Sequence, residues 1–218
     1  MGQYIFLVIF LNMLHIERFI NELMSSNCYL VVDEETKHCL CIDPASEKSE
    51  REIAYIENNK LTLDYIILTH EHTDHTWGVN ALVDRFSETK VVCSDVCEKN
   101  LAKEFQAYFL FYYDDPNYHY NVCQVDYTIE ELERTMEWGK HCIFFVPSPG
   151  HSMGSVCIYL NGFLFTGDAI LQTKPYINKR NGSKELFYES AKKIVEMFNP
   201  ETIVYPGHGE VFQLKEYK

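Results

Sequence analysis

The chain has 218 residues, with 32 acidic against 19 basic side chains, a formal net charge of −13 and 46% hydrophobic content. The charge repels polyanions, which excludes nucleic acid as a partner. The apolar share is enough to bury a sizeable core.

Residues 4–11 are almost wholly apolar but too short to span a bilayer. No Lys or Arg precedes them and no small-residue cleavage site follows, so they do not fit a secretory signal. Gly2 invites a myristoylation reading, but Phe6 stands where Ser or Thr is needed. Residues 1–12 are therefore set apart as an extra apolar segment, and residues 13–218 are expected to form one domain, since no Pro/Gly/Ser-rich linker divides them. No membrane association is expected.

Residues 26–32 and 38–42 are β-branched and aromatic runs on either side of the charged stretch 33–37, which predicts a hairpin. Residues 47–58 predict a helix with Ile53 and Ile56 on one side. Residues 65–68 form a buried strand, and 76–86 an amphipathic helix with Trp77, Leu82, Val83 and Phe86 on its apolar face. A strand at 90–93 precedes a helix that Asp95 caps and that reaches about Phe105. Residues 105–120 are dense in aromatics and are broken by Asp114-Asp115-Pro116-Asn117. They read as a substrate-pocket wall, a dimer surface or ordinary core. Strands follow at 142–146, 155–160 and 163–166, with Asn161-Gly162 as a tight turn. A helix at 184–198 ends at Asn199-Pro200, and a last strand covers 202–205. The periodicity by itself gives a mixed α/β chain.

The eight cysteines (28, 39, 41, 93, 97, 123, 142 and 157) fall mostly in apolar, strand-like contexts. They read as small core residues in a reducing cytosol, and the expected location is cytoplasmic. Cys39 and Cys41, or Cys93 and Cys97, lack the second pair that a zinc finger needs.

Four short blocks carry chemistry: Thr69-His70-Glu71-His72-Thr73-Asp74-His75, Pro149-Gly150-His151-Ser152, Gly167-Asp168 and Pro206-Gly207-His208-Gly209. Five of the nine histidines lie in them. Histidine with carboxylate suits zinc, iron or manganese, and seven ligands are enough for two metals. A two-metal site with open positions is usually hydrolytic. Each block follows a predicted strand, where a loop can gather distant side chains at one sheet edge. Gly150 and Gly207 permit tight turns before their histidines. His15, His38, His119 and His141 lie outside the blocks and read as surface or structural residues. Ser152 and Ser155 read as hydrogen-bonding turn residues, and there is no G-x-S-x-G nucleophile elbow.

The ordered set His-x-His-x-Asp-His, Pro-Gly-His, Gly-Asp, Gly-His resembles the metallo-β-lactamase superfamily, and its short glyoxalase II-like (hydroxyacylglutathione hydrolase-like) members in particular. The resemblance runs from about Leu14 to Phe212. It implies an αββα sandwich of two mixed β-sheets flanked by helices. It implies that His70, His72 and His151 hold one divalent metal, that Asp74, His75 and His208 hold a second, and that Asp168 bridges them. The metals would be Zn2+, with Fe or Mn as alternatives. Asp43, in Cys41-Ile42-Asp43-Pro44, matches an aspartate that supports the site from behind.

The implied reaction is hydrolysis of a small thioester or ester by a metal-bridging hydroxide, with Asp74 orienting the nucleophile or carrying its proton. Two other readings stay open at this point. One is a mono-iron persulfide dioxygenase using His70, His151 and Asp168; the other is a lactonase or β-lactamase. Secreted zinc β-lactamases of the best-known type carry cysteine where Asp168 stands, which argues against an antibiotic substrate. Long glyoxalase II proteins grip glutathione with a helical domain after the last histidine block, whereas ten residues follow His208 here. A homo-oligomer is compatible with the sequence but not specified by it.

Overall fold

The computed structural model describes residues 14–101, 120–173, 176–177 and 181–218. The segment 1–12, the aromatic residues 105–119 and the basic residues 179–180 lie outside that set.

The elements run β1 (Leu14–Ile20), β2 (Asn27–Asp33), β3 (His38–Ile42), α1 (Glu50–Asn58), β4 (Thr62–Ile67), α2 (Thr73–Thr76), α3 (Val79–Arg85), β5 (Lys90–Cys93) and α4 (Asp95–Leu101). Then come β6 (Tyr127–Thr128), β7 (Thr135–Trp138), β8 (His141–Pro147), β9 (Val156–Leu160), β10 (Phe163–Gly167), α5 (Lys184–Met197), β11 (Ile203–Pro206), β12 (Phe212–Gln213) and a 3-10 turn (Leu214–Glu216). One sheet has the order β1-β2-β3-β4-β5-β6 and the other β12-β11-β10-β9-β8-β7. Each mixes parallel and antiparallel pairs. This is the αββα sandwich that the sequence resemblance implies.

The layering follows from strand alternation, since successive side chains point to opposite faces. In β2, Tyr29 and Val31 join Leu40, Ile42, Ile67 and Val92 against Ile143, Phe145, Ile158 and Phe165 of the second sheet. The intervening Cys28, Leu30 and Val32 face the other way. They pack with Ile56 of α1, Val79 and Leu82 of α3, and Cys97 and Leu101 of α4. A third cluster seats Ala191 and Ile194 of α5 on Cys157, Leu164 and Val204. Strands covered on both faces read as continuous apolar runs, which is why β2 is buried throughout. Each fully buried aliphatic side chain contributes roughly 1.5–3 kcal/mol.

Six of the eight cysteines are buried, in agreement with the core reading, whereas Cys123 and Cys142 are exposed. Cys142 and Phe144 occupy the outward positions of β8, and both reach solvent.

The structure corrects three boundaries. The expected 76–86 helix is two short helices, α2 and α3, parted at Gly78. There the Gly78 N–H donates to the Pro44 carbonyl at 2.8 Å. A Cβ at Gly78 would lie 2.1 Å from Ser49 Oγ and 2.5 Å from the Ser46 carbonyl, so the chain must pass there without a side chain. The cap of α4 is Ser94, whose Oγ accepts from the Cys97 N–H at 3.1 Å; Asp95 is already inside the helix. Finally, α1 starts at Glu50, after Ser49, and not at residue 47. Strands β1, β6, β7 and β12 are additions to the sequence reading.

At the sheet ends far from the predicted ligand loops, two polar contacts tie the layers together. Trp138 Nε1 donates to Asp64 at 2.7 Å. His141 is buried and its Nε2 lies 3.2 Å from Asp33 Oδ2, so it is a structural histidine, as expected. Asp33 also accepts from the Glu35 and Thr36 N–H groups. Burial alone would raise the Asp33 carboxyl, but these N–H donors, His141 and Lys140 hold it below its ordinary value. A depressed carboxyl stabilises the fold above its unfolded-state pKa, and that contribution is lost as pH falls through the folded-state value. Asp33→Asn is therefore expected to cost about 1–2 kcal/mol at pH 7 and progressively less in acid. Denaturant titrations of both proteins across that pH range test this; a difference that does not depend on pH would contradict it.

Candidate metal centre

All four sequence blocks come to one edge of the sandwich. The His70–His75 block follows β4, His151 follows β8, Asp168 follows β10 and His208 follows β11. The strands β8, β10 and β11 share one direction within their sheet. Their C-terminal ends therefore deliver side chains to the same place. A backbone bond from the Asn27 N–H to the Gly207 carbonyl at 2.7 Å, and one from Val156 N–H to the Thr69 carbonyl at 2.9 Å, lock the two sheets together there.

Two groups of donor atoms result. His70 Nε2 lies 3.1 Å from His72 Nδ1, which lies 2.9 Å from His151 Nε2. His208 Nε2 lies 3.3 Å from Asp74 Oδ2, and His75 Nε2 lies 3.8 Å from the same oxygen. Asp168 stands between the groups. Its Oδ2 is 3.3 Å from His151 Nε2 and 3.7 Å from His208 Nε2, and its Oδ1 is 3.6 Å from His75 Nε2. All seven residues picked from the sequence thus converge.

Three of the five imidazoles are aimed from behind. Thr69 Oγ gives its single proton to Asp43 Oδ2 at 2.6 Å, so it can only accept from His70 Nδ1–H at 3.0 Å. His75 Nδ1 donates to the same Asp43 oxygen at 3.0 Å, and the Thr69 N–H donates to Asp43 Oδ1 at 2.8 Å. His208 Nδ1 donates to the Ser25 carbonyl at 3.2 Å. With the proton on Nδ1, each of these rings turns the Nε2 lone pair toward the cluster. Asp43 is buried and spends its oxygens on these three donors.

Whether the residues suit a cation is decided by the atoms left over. Among the described residues, His75 Nε2 and Asp168 Oδ1 are buried without a hydrogen-bond partner. A neutral imidazole lone pair facing other lone pairs and a carboxylate oxygen is costly to bury unless a cation meets it. The trio His70, His72, His151 and the trio Asp74, His75, His208 each have ligand atoms within 4.8 Å of one another, which suits two cations with nitrogen and oxygen donors.

The electrostatics of the protein groups agree. Burial, then the positive character of His75, drives His70 well below its ordinary pKa. Burial pushes His151 down to about 4, with Asp168 opposing. Burial would lower His75 too, but Asp74, Asp168 and Asp43 outweigh it and push it up to about 10. Asp74 is held below its usual range by His75 and His208 in spite of burial. The carboxylates thus call for positive charge, which protons on imidazole supply when no metal does.

Exposure is graded. His70 and His75 are fully buried, while the side chains of Asp74 and His208 are 16% and 26% exposed. Among the described residues, the cluster is thus most open at Asp74, His208 and the half-buried His72.

Glu71 and Asn181 escaped the sequence reading, and Gly207 does more than permit the turn expected of it. Glu71, inside the first block, is buried, and its carboxylate accepts from Ser152 Oγ at 2.6 Å and Asn100 Nδ2 at 2.8 Å, tying the His70–His72 loop to the His151 loop. Asn181 reaches His72. Gly207 makes room: a Cβ on it would sit 2.4 Å from Asp168 Oδ1 and 2.7 Å from His75 Cε1. Its neighbour within the block was the only signal available in the sequence for Glu71; the others follow from tertiary contacts alone.

The comparisons with known proteins fit this picture. The sequence model of the Metallo-beta-lactamase superfamily matches residues 22–208. Glyoxylase B2 of Dictyostelium discoideum is 28% identical over 197 residues, covering 82% of this chain and 64% of the relative, so the chain spans just under two thirds of that protein. "Probable polyketide biosynthesis zinc-dependent hydrolase BaeB" of Bacillus velezensis is 26% identical over 189 residues, covering 86% of this chain and 75% of the relative. Among solved structures, the BLEG-1 B3 metallo-beta-lactamase superposes with a TM-score of 0.82 at 25% identity, covering 93% of this chain and 95% of the other.

The bare Cα of Gly207 yields a direct test. Gly207→Ala should force Asp168 or His75 out of place and leave the protein folded but binding fewer cations than wild type. Circular dichroism with elemental analysis of the purified variant checks this. Full metal content in a folded Gly207→Ala would show that the two side chains do not need that space.

Proposed function

The chain belongs to the metallo-beta-lactamase superfamily, and from that premise we propose that it is a binuclear metallohydrolase that cleaves a small thioester or ester in the cytoplasm. One observation carries the reading. Five imidazoles and two carboxylates converge with their donor atoms inward, and Asp168 stands between the two groups. We assign His70, His72 and His151 to one cation, Asp74, His75 and His208 to the other, and Asp168 to both.

Two divalent cations, most simply Zn2+, would supply a nucleophile from water near neutral pH and a Lewis acid for the scissile carbonyl. The chain's own residues do the rest. Asp43 and Thr69 fix the ring orientations of His70 and His75, so the ligand set is preorganised. Asp74, at the open side of the cluster, is placed to orient the attacking water or carry its proton. His70, His75 and Asp168 form the buried floor of the cluster. The substrate is a small acyl compound that enters from the Asp74–His208 face. The names of the two relatives, a glyoxylase and a zinc-dependent hydrolase, are consistent with this class.

Metal-replete protein should hydrolyse at least one member of a panel of S-lactoylglutathione, other thioesters, esters and lactones. Chelation should abolish that activity and zinc should restore it. No hydrolysis across the panel would overturn the substrate class. One iron per chain with oxygen consumption on a persulfide would replace the hydrolase by a dioxygenase.

Asp168→Ala separates a bridging carboxylate from a mere turn residue after β10. Without the shared anion, two cations repel at short range, so the variant should keep its fold, hold one cation or none, and lose at least about 100-fold in turnover. Exposed His15→Ala serves as control and should keep both. Two tightly held cations in Asp168→Ala would remove the bridge from the account.

A further inference from the structure

His72 differs from the other imidazoles of the cluster. It presents Nδ1, not Nε2, to His70 and His151. A cation bound through Nδ1 takes that lone pair, so the ring proton must sit on Nε2. That proton then needs an acceptor. Among the described residues, the Asn181 side-chain amide faces His72 Nε2, its Nδ2 3.3 Å away. Among the same residues, the Oδ1 of that amide is buried without a hydrogen-bond partner.

The two ends of an amide differ little in shape, so either can face the ring. With Nδ2 toward the ring, the amide donates to an Nε2 lone pair, which is the tautomer that cannot ligate through Nδ1. With the amide turned by half a turn about its last side-chain bond, Oδ1 accepts from Nε2–H, which is the tautomer that a cation on Nδ1 requires.

We propose that Asn181 is a positioning residue for His72, and that its amide turns to accept from Nε2–H and thereby holds the ring in the tautomer that offers Nδ1 to a metal. The proposal rests on His72 being a ligand, as assigned above. The placement of Asn181 does not depend on its side chain. Its carbonyl accepts from the Met153 N–H at 3.0 Å, two residues beyond His151. It also lies just ahead of Ser183, whose Oγ caps α5 by accepting from the Leu186 N–H. The backbone therefore anchors the residue between the His151 loop and a helix start, and leaves the amide free to serve the ring. A residue that only held the loop would need the carbonyl alone.

The test uses the full chain with zinc as the probe, titrated against a chromophoric chelator, for wild type, His72→Ala, Asn181→Leu and Asn181→Asp. Leu keeps the size and removes the acceptor; Asp keeps the acceptor and cannot donate. Wild type should bind two zinc ions per chain, and His72→Ala should lose one tight site. Asn181→Leu should weaken that same site about 10–100-fold, leaving the other site and the metal-free melting temperature unchanged. Asn181→Asp should return the affinity to within a few-fold of wild type. Long-range nitrogen–proton correlation spectra of the zinc-loaded protein should place the His72 ring proton on Nε2 in wild type and in the Asp variant.

If Asn181→Leu binds zinc like wild type while His72→Ala does not, the positioning role is overturned and the ligand assignment stands. The role is also overturned if Asn181→Asp is no tighter than Asn181→Leu. If His72→Ala binds two zinc ions as tightly as wild type, the ligand assignment falls and the role of Asn181 falls with it.

Discussion

The carboxylate of Asp43 is the constraint on which the site depends. It lies just after β3 and takes three donors: the Thr69 backbone, the Thr69 hydroxyl and the His75 ring. The hydroxyl's single proton goes to Asp43, so Thr69 can only accept from His70. One buried carboxylate thereby settles the proton position on two imidazoles that belong to the two different groups. Without it, either ring could turn a protonated nitrogen into the cluster, and five histidines would crowd together with no common direction. Asp43 itself has a backbone φ of 52°, in the left-handed region that Asp tolerates better than most residues, so the turn after β3 bends to deliver this side chain.

The sandwich places that carboxylate where it is needed. Strands β3 and β4 are parallel neighbours, so the loops after them lie side by side, and Asp43 meets the Thr69–His75 segment across one strand spacing. The second sheet brings His151, Asp168 and His208 to the same edge. Close approach of the two halves is possible because glycines stand where a Cβ would intrude. Gly167, with φ of 48°, passes against the Thr69 side chain, and Gly207 passes against Asp168 and His75. The polar contacts Asp33–His141 and Trp138–Asp64 fix the opposite end. The edge that gathers the donor cluster thus lies opposite an end clamped by these two contacts. Among the described residues, no helix is long and apolar enough to cross a membrane.

Much of this was legible in the sequence, for physical reasons that differ by element. The ligand blocks are short and local, so their residue types and order survive in one dimension. The buried strands β2, β3 and β4 announce themselves as apolar runs because both faces are covered. The edge strand β1, with Glu17 and Arg18 in its middle, has no such run and was missed as a strand. The split between α2 and α3 was invisible because Gly78 yields to Pro44, Ser46 and Ser49, which lie some thirty residues earlier. The cap of α4 was misplaced by one residue because Ser94 and Asp95 are both good cap formers, and only the Cys97 N–H decides between them. The supports of the ligands are long-range pairs: Glu71 with Ser152 is 81 residues apart and His72 with Asn181 is 109. No local pattern encodes such contacts.

The central claim is that the seven converging side chains hold two cations flanking Asp168. Anomalous diffraction from crystals of the protein grown with zinc, collected on either side of the zinc absorption edge, tests it most directly. Two peaks per chain are expected, about 3.5–4 Å apart. One should lie among His70, His72 and His151, the other among Asp74, His75 and His208, with Asp168 in contact with both. A single peak, or none within reach of Asp168, would contradict it.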